Sequence, residues 1–306
     1  MMSIEWLSVL LAVFAGAIRA STPFLLISLG ECLTEKSGRI NVGLEGTLVT
    51  GAMAGYAVSY VSGSPWLGVM AAGFAGTSLG LIHGVACSFR RVNDIAVGIA
   101  LLILGTGLGI FLGKPFIQPQ APLLPAVDLA WWTEVPQIRA ALQINPLFVF
   151  GIALALAMAW FFANTRPGLI VRAVGDSSAA TAALGIRINT VRTLSTAIGG
   201  FFAGMGGASL SLFYPGSWHE GLSSGQGLMA VVLVIFARWD PLRCIYAALL
   251  FGGAGALGPA LQSIGISEGY HLFNAAPYLL TLGIMLFEYS PGRRIGGAPG
   301  ELTLFR

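Results

Sequence analysis

Stretches of about 18 or more apolar, almost uncharged residues recur along this chain, and the breaks between them hold most of its charge. A helix of that length spans the ~30 Å hydrocarbon core of a bilayer. Of the 306 residues, 56% are hydrophobic and 9% are charged, against roughly one quarter charged in an ordinary soluble domain. A soluble fold would have too few charged groups to cover so much apolar surface. The runs are continuous, without the alternation of an outer-membrane barrel. The chain therefore reads as an all-α integral membrane protein, a polytopic helical bundle. Its 42 glycines are scattered through the runs, as suits helices that pack backbone to backbone.

Nine segments follow from the pattern, at about 6–30, 44–61, 66–89, 95–112, 146–163, 191–213, 226–237, 244–260 and 273–288. Uncertain ends allow eight to ten. Arg19 and Pro23 lie in the first segment, and the proline predicts a kink. All sixteen basic residues except Arg19, Lys114 and Arg139 fall in breaks 31–43, 90–94, 164–190 and 238–243, at the start of segment six, or after segment nine. The positive-inside rule then puts these breaks in the cytoplasm, with the N-terminus outside and the C-terminus inside. The net charge of +3 is thus topology rather than a nucleic-acid surface. The outer break 113–145 carries Trp131, Trp132, Asp128 and Glu134, and adjacent tryptophans suit an interface. No basic leader or clear cleavage site precedes segment one, so it is expected to be retained. The cysteines Cys32, Cys87 and Cys244 lack metal-ligand spacing, and no disulfide is expected.

The chain turns on residues 164–192. Arg166, Arg172, Arg187 and Arg192 are set there against the single acid Asp176. Asp176 and Ser177 can cap a short helix, residues 179–184 are good helix material, and Gly185 is a suitable stop. Alanine-faced and nearly uncharged, such a surface helix would lie against something. The helix–break–helix pattern around 37–46 and again around 216–227 suggests an inverted repeat with broken or re-entrant segments.

Polar groups within or beside apolar segments are costly and usually face protein or a water-filled path. Asn41 and Glu45 open segment two, Asn93 and Asp94 segment four, and Gln226 follows Ser223 and Ser224 at the start of segment seven. Asn41, Glu45, Asn93, Asp94, Ser224 and Gln226 are the candidates for a translocation path or gate. Two readings stand for Glu45: a path contact, or a helix-start carboxylate satisfied by backbone amides. Asn93 and Asp94 read more readily as a helix cap, and His83 as a packed side chain. Gly113–Lys114–Pro115 is no phosphate loop, since proline stands where Ser or Thr should hold magnesium. HExxH, GxSxG and paired-cysteine motifs are absent from the sequence, so it points to no enzyme, metal site or cofactor on this chain.

Three blocks resemble a known family. They are Gly30–Glu31–Cys32–Leu33–Thr34–Glu35–Lys36–Ser37–Gly38 with Asn41, Gly43, Glu45 and Gly46; Arg172–Ala173–Val174–Gly175–Asp176 with Ala179, Ala180, Gly185 and Ile186; and Val234–Ile235–Phe236–Ala237–Arg238–Trp239–Asp240–Pro241. Their order and spacing resemble the permease subunit of bacterial ABC importers of the simple-sugar and nucleoside type, the branch served by BMP-type binding lipoproteins. Asp176 and Ala237 depart from the Glu and Gly usual at those places. The resemblance implies a single permease domain over 1–306 in the bacterial inner membrane, with a coupling helix in loop 164–190 that docks on a cytoplasmic ABC ATPase. Arg172, Gly175, Asp176, Ala179, Ala180 and Gly185 would carry the coupling. It also implies a second, related permease chain, an external substrate-binding lipoprotein, a nucleoside or sugar substrate, and ATP with magnesium on the partner ATPase. The alternative is an ion-coupled secondary transporter, for which Glu45 and Asp94 are the candidate carboxylates.

Overall fold

The computed structural model describes residues 2–89, 91–129, 131, 142–263, 275–288 and 297–303. Apolar runs form helices α1 (Met2–Lys36), α2 (Leu44–Ser62), α3 (Pro65–Ala86), α4 (Asp94–Gly113) and α5 (Pro146–Asn164). The basic loop holds α6 (Arg166–Asp176) and α7 (Ser178–Ala183). Then come α8 (Ile188–Leu212), α9 (Gln226–Phe236), α10 (Pro241–Ser263), α11 (Ala276–Glu288) and the short α12 (Gly300–Thr303). In the outer break, β1 (Val127–Asp128) pairs antiparallel with β2 (Gln143–Ile144), with Val127 opposite Ile144. Within the described residues five helical stretches are long and apolar enough to cross a membrane: Val13–Lys36, Pro65–Ala86, Asp94–Phe116, Pro146–Asn164 and Pro241–Gln262.

Two helices organise the bundle. α8 packs on α3, α2 and α1, and α1 packs on α10, α9 and α5 as well as on α8. Two apolar clusters result. One joins α1 through Leu25 and Leu29 to Phe148, Leu233 and Phe251. The other joins α1 through Leu26 and Ile27 to Leu48, Ala72 and Leu212. Successive residues of one helix thus feed both clusters, because α1 is buried nearly all round between Ser21 and Glu35. The outward faces of α3, α4 and α5 carry Phe74, Ile103, Phe111 and Trp160, all exposed, as lipid or a membrane partner requires.

The helices cross where glycine removes the side chain. A Cβ at Gly76 would stand 2.9 Å from the Gly204 nitrogen, and one at Gly51 2.6 Å from the Gly204 Cα. One at Gly84 would stand 2.8 Å from the Thr193 Cα, and one at Gly105 2.6 Å from the Gly46 carbonyl oxygen. Apolar side chains gain little by leaving lipid for protein, so association rests on this close backbone packing.

The structure departs from the sequence expectations in two places. The first segment was expected to end near Gly30, but α1 continues to Lys36 and buries Glu31 and Glu35. Pro23 lies within this helix, and the Ser21 and Thr22 hydroxyls donate to the Ile18 carbonyl one turn earlier. The basic loop holds two helices rather than one: Thr165 caps α6, its hydroxyl accepting the Gly168 N–H. Arg90, Trp132, Glu134, Arg139, residues 273–274, Arg293, Arg294 and Arg306 lie outside the described residues.

Gly200→Leu should force α8 off α3, where overpacking costs about 1–3 kcal/mol or more. Gly107→Leu is the control, because nothing lies within 4 Å of the space its Cβ would occupy. Thermal unfolding in detergent should show a clear fall for the first and wild-type behaviour for the second.

Candidate translocation and coupling sites

The N-termini of α2 and α9 meet inside the bundle. Glu45, in the first turn of α2, is buried at 8% exposure. Its carboxylate accepts the Gly225 N–H at 3.0 Å, the Gly227 N–H at 2.7 Å and the Ser223 hydroxyl. A carboxylate at a helix N-terminus faces unpaired amides and the positive end of the helix dipole. Glu45 uses this on the facing helix: it caps α9, whose N-cap Gly225 is left-handed and offers no side-chain cap. Gly227 is required because a Cβ there would stand 2.5 Å from the Glu45 Cα. Gln226 follows with its Oε1 buried and unpaired. Ser224, at φ 46°, turns its hydroxyl to the Gly221 carbonyl, and its own carbonyl accepts the Tyr278 hydroxyl. Above this contact Val49, Thr106, Trp218 and Leu222 line a cavity of about 50 Å³. Buried Thr106 Oγ1 and Trp218 Nε1 have no hydrogen-bond partner.

Asn41, Asn93 and Asp94 lie elsewhere and make other contacts. Asn41 shapes the turn before α2, its Oδ1 accepting the Gly43 N–H at 3.0 Å and its backbone N–H reaching Glu31 at 2.7 Å. Asn93 caps α4 by accepting the Ile95 and Ala96 N–H groups. Asp94 pairs with Arg39 at 3.3 Å, and Arg39 also donates to the Cys87 carbonyl at 2.6 Å. Burial lowers the Arg39 guanidinium from its ordinary value, Asp94 works against that shift, and Arg192 adds to it. His83 is fully buried with Nε2 3.2 Å from the Asp94 carbonyl oxygen. Neither His83 nor any other described residue belongs to a group of three metal-type ligands.

Sequence reasoning missed Glu31 and Glu35 as buried groups, having placed them in a solvated break. They stand one helical turn apart on α1, and Glu35 accepts the indole N–H of Trp239. Trp239 belongs to the turn before α10, where Arg238 and Trp239 are both left-handed, at φ 53° and 55°. Such a pair of non-glycine residues needs outside support. The Glu35 contact and the Cys32 thiol, donating to the Trp239 carbonyl at 3.2 Å, supply it. The signal in the sequence was the i,i+4 spacing of two acids on a helix that the break concealed.

On the basic side, Ser177 caps α7 by accepting the Ala180 N–H, and Gly185 ends it at φ 81°. Thr181 is the buried side of this short helix, donating to the Ala173 carbonyl at 2.8 Å. Ala179, Ala180, Ala182 and Ala183 are exposed, and Leu184 is 78% exposed. Gly175 packs flat on the Lys36 carbonyl, where no Cβ fits. Arg172 is half-buried, and Asp176, exposed, closes α6. One contact was not legible: Glu301 of α12 reaches back to the first residue of α7. It accepts the Ser178 N–H and hydroxyl, each at 2.9 Å, and pairs with Arg192 at 3.1 Å. Burial would raise the Glu301 carboxyl, but the Ser178 donors and Arg192 outweigh it and hold it below its ordinary value.

Residues 12–288 match the family described as the permease component of the branched-chain amino acid transport system. The chain is 33% identical over 82% of its length to TsgC13 of Haloferax volcanii, a provisionally named glucose ABC transporter permease, and covers 78% of that protein. It is 30% identical over 86% of its length to NupQ of Bacillus subtilis, a guanosine ABC transporter permease, of which it covers 87%. NupC of Lactococcus lactis, a nucleoside ABC transporter permease, is 28% identical over 89% of the chain and is covered over 90%. With nearly the whole chain matched, this protein belongs to the permease-component family of ABC transport systems, as a multi-pass membrane transport subunit and not an enzyme.

Proposed function

We propose that this chain is one of two related permease subunits of an ATP-driven importer of nucleosides or simple sugars. The observation that carries the reading is α7: a capped helix on the basic side, anchored by Thr181 and presenting only alanines and Leu184 outward. A small, uncharged face of this kind suits docking into a groove of a cytoplasmic ABC ATPase, with Arg172, Gly175, Asp176, Ala179, Ala180 and Gly185 forming the coupling surface. ATP and magnesium belong to that ATPase. An external binding lipoprotein delivers the solute. This chain is similar to two guanosine permeases of Bacillus subtilis, NupP and NupQ, and to two proteins of Haloferax volcanii named as glucose permeases, TsgB13 and the provisionally named TsgC13, and this pairing of names favours a heterodimer here.

Nine spans with the N-terminus outside accord with nine of the described helices, α1–α5 and α8–α11, and with the basic breaks. The inverted-repeat reading draws support from the packing. α1 on α10 mirrors α8 on α3, α1 on α9 mirrors α8 on α2, and the α1–α8 and α2–α9 contacts map onto themselves. In this reading segment 213–225 dips into the membrane, so that the 11-residue α9 begins at Glu45 instead of at the outer surface.

The substrate class follows from which polar groups are already used. Glu45 is held by three donors and Asp94 by Arg39, while neutral Gln226 and Thr106 keep unpaired oxygens. A path of neutral hydrogen-bonding groups suits a neutral polar solute such as a nucleoside or sugar. Ion-coupled secondary transport is the second reading, and the buried Glu31–Glu35 pair is the feature that favours it. Uptake by proteoliposomes holding the chain without an ATPase would establish the second reading and end the first.

Two results are expected. Ala180→Arg should leave the protein in the membrane but abolish co-purification of the ATPase and lower ATP-dependent uptake of labelled guanosine or glucose by about tenfold or more. Glu45→Ala should leave the part-buried Gly225 and the buried Gly227 amides unpaired, at up to about 1–3 kcal/mol per group. Glu45→Gln keeps one of the two acceptor oxygens and should cost less than Glu45→Ala but more than nothing, as read by thermal unfolding and uptake together.

A further inference from the structure

Segment 297–303 has no role in the reading above, yet it touches the turn between α9 and α10, the junction of α6 and α7, and the turn between α1 and α2. Gly297, at φ 97°, lies against the turn between α9 and α10, where a Cβ would stand 2.9 Å from the Arg238 carbonyl oxygen. Ala298 and Leu302 pack on the apolar cluster that includes Leu33, Val171 and Trp239. Gly300 fits flat on the Asp176 carbonyl at the junction of α6 and α7. The Glu301 Cβ lies 3.1 Å from the position a Cβ on Gly38 would take, in the turn between α1 and α2.

Glu301 closes a continuous polar chain. The Ser178 N–H and hydroxyl, at the start of α7, donate to Glu301 Oε1. Arg192, in the first turns of α8, donates to Glu301 Oε2 at 3.1 Å and through Nε to the Ser37 carbonyl at 3.1 Å. A charge-assisted, part-buried pair of this kind fixes orientation better than apolar contact can. It ties the proposed coupling helix directly to α8 and to the end of α1, the two helices on which the bundle is built. Without Glu301, α7 keeps its cap at Ser177 and the Thr181 anchor, but it loses its polar link to Arg192 of α8.

We infer that segment 297–303 is a working part of the coupling apparatus, in which Glu301 is a positioning residue that locks the coupling helix to α1 and α8 and so passes ATPase motion into the bundle. This rests on the reading of α7 as the coupling helix. Transmission between distant sites needs a physically continuous element that both ends can bias, and Ser178–Glu301–Arg192–Ser37 is such an element.

The test uses the assembled importer, with both permeases, the ATPase and the binding protein in proteoliposomes. Per molecule of permease inserted, Glu301→Ala should lower uptake by about tenfold and raise the ATP hydrolysed per solute moved. Glu301→Gln keeps one acceptor oxygen, which can serve Ser178 or Arg192 but not both, and should recover the uptake only in part. Wild-type uptake and ATP use by Glu301→Ala would overturn the inference. So would a loss of inserted protein with unchanged uptake per molecule, which is the mark of a brace and nothing more. Ala180→Arg is run in parallel. If it too transports normally, the coupling-helix reading has failed; if it is inactive while Glu301→Ala is normal, only the role of Glu301 has failed.

Discussion

The bundle depends on close backbone approach around α8. This helix meets α1 at Gly199 and Gly206, α3 at Gly200 and Gly204, and α2 at Gly204 and Gly207. In a bilayer the hydrophobic effect does not drive one apolar helix onto another, so van der Waals contact and occasional hydrogen bonds must do so. Glycine on three sides of one helix lets three neighbours reach the distance at which such contact is effective. The arrangement also brings backbone carbonyls within reach of hydroxyls across helices, as where Ser211 donates to the Ala52 carbonyl at 2.7 Å and Thr50 to the Gly105 carbonyl at 2.9 Å.

With the helices held so closely, the few polar side chains become structural joints. Each marks where a helix begins, ends or turns inside the bundle. Glu45 caps α9 from α2, Glu35 holds the left-handed turn at Trp239, Arg39 ties the turn before α2 to α4 and to the end of α3, and Glu301 joins α7 to α8. All of these except Glu45 gather at the basic side of the molecule. Motion applied there would therefore meet a connected polar layer before it reached the apolar helices, whereas Glu45 stands at the head-to-head contact of two helix N-termini deeper in the fold. That division suits a protein which takes force on one face and opens a path in its middle.

Much of the fold was legible because membrane insertion writes a strong pattern. The segment limits at 44–61, 95–112, 146–163 and 226–237 agree with α2, α4, α5 and α9 to within about a residue at each end. The Asn93 cap and the Gly185 stop were readable as local chemistry, each depending on neighbours only a few residues away. The first segment was misjudged at Glu31 because charge ordinarily ends a span. Here the two carboxyl groups are tolerated inside the helix, since Asn41 and Trp239, ten and about two hundred residues away, each donate a hydrogen bond to one of them.

By itself the sequence determined the class of the protein, the positions of its apolar helices, the charged side of the bundle and the short alanine-rich helix in the central loop. Each follows from hydropathy, charge and capping, which act over a span no longer than one helix. Tertiary structure alone decided that Glu45 caps a helix 180 residues away, that Asp94 is spent on Arg39, and that Glu301 reaches back to Ser178. A carboxylate carries no local mark of which distant donor will satisfy it. That choice is made only when packing brings the donor within hydrogen-bond reach and excludes the water that would otherwise compete.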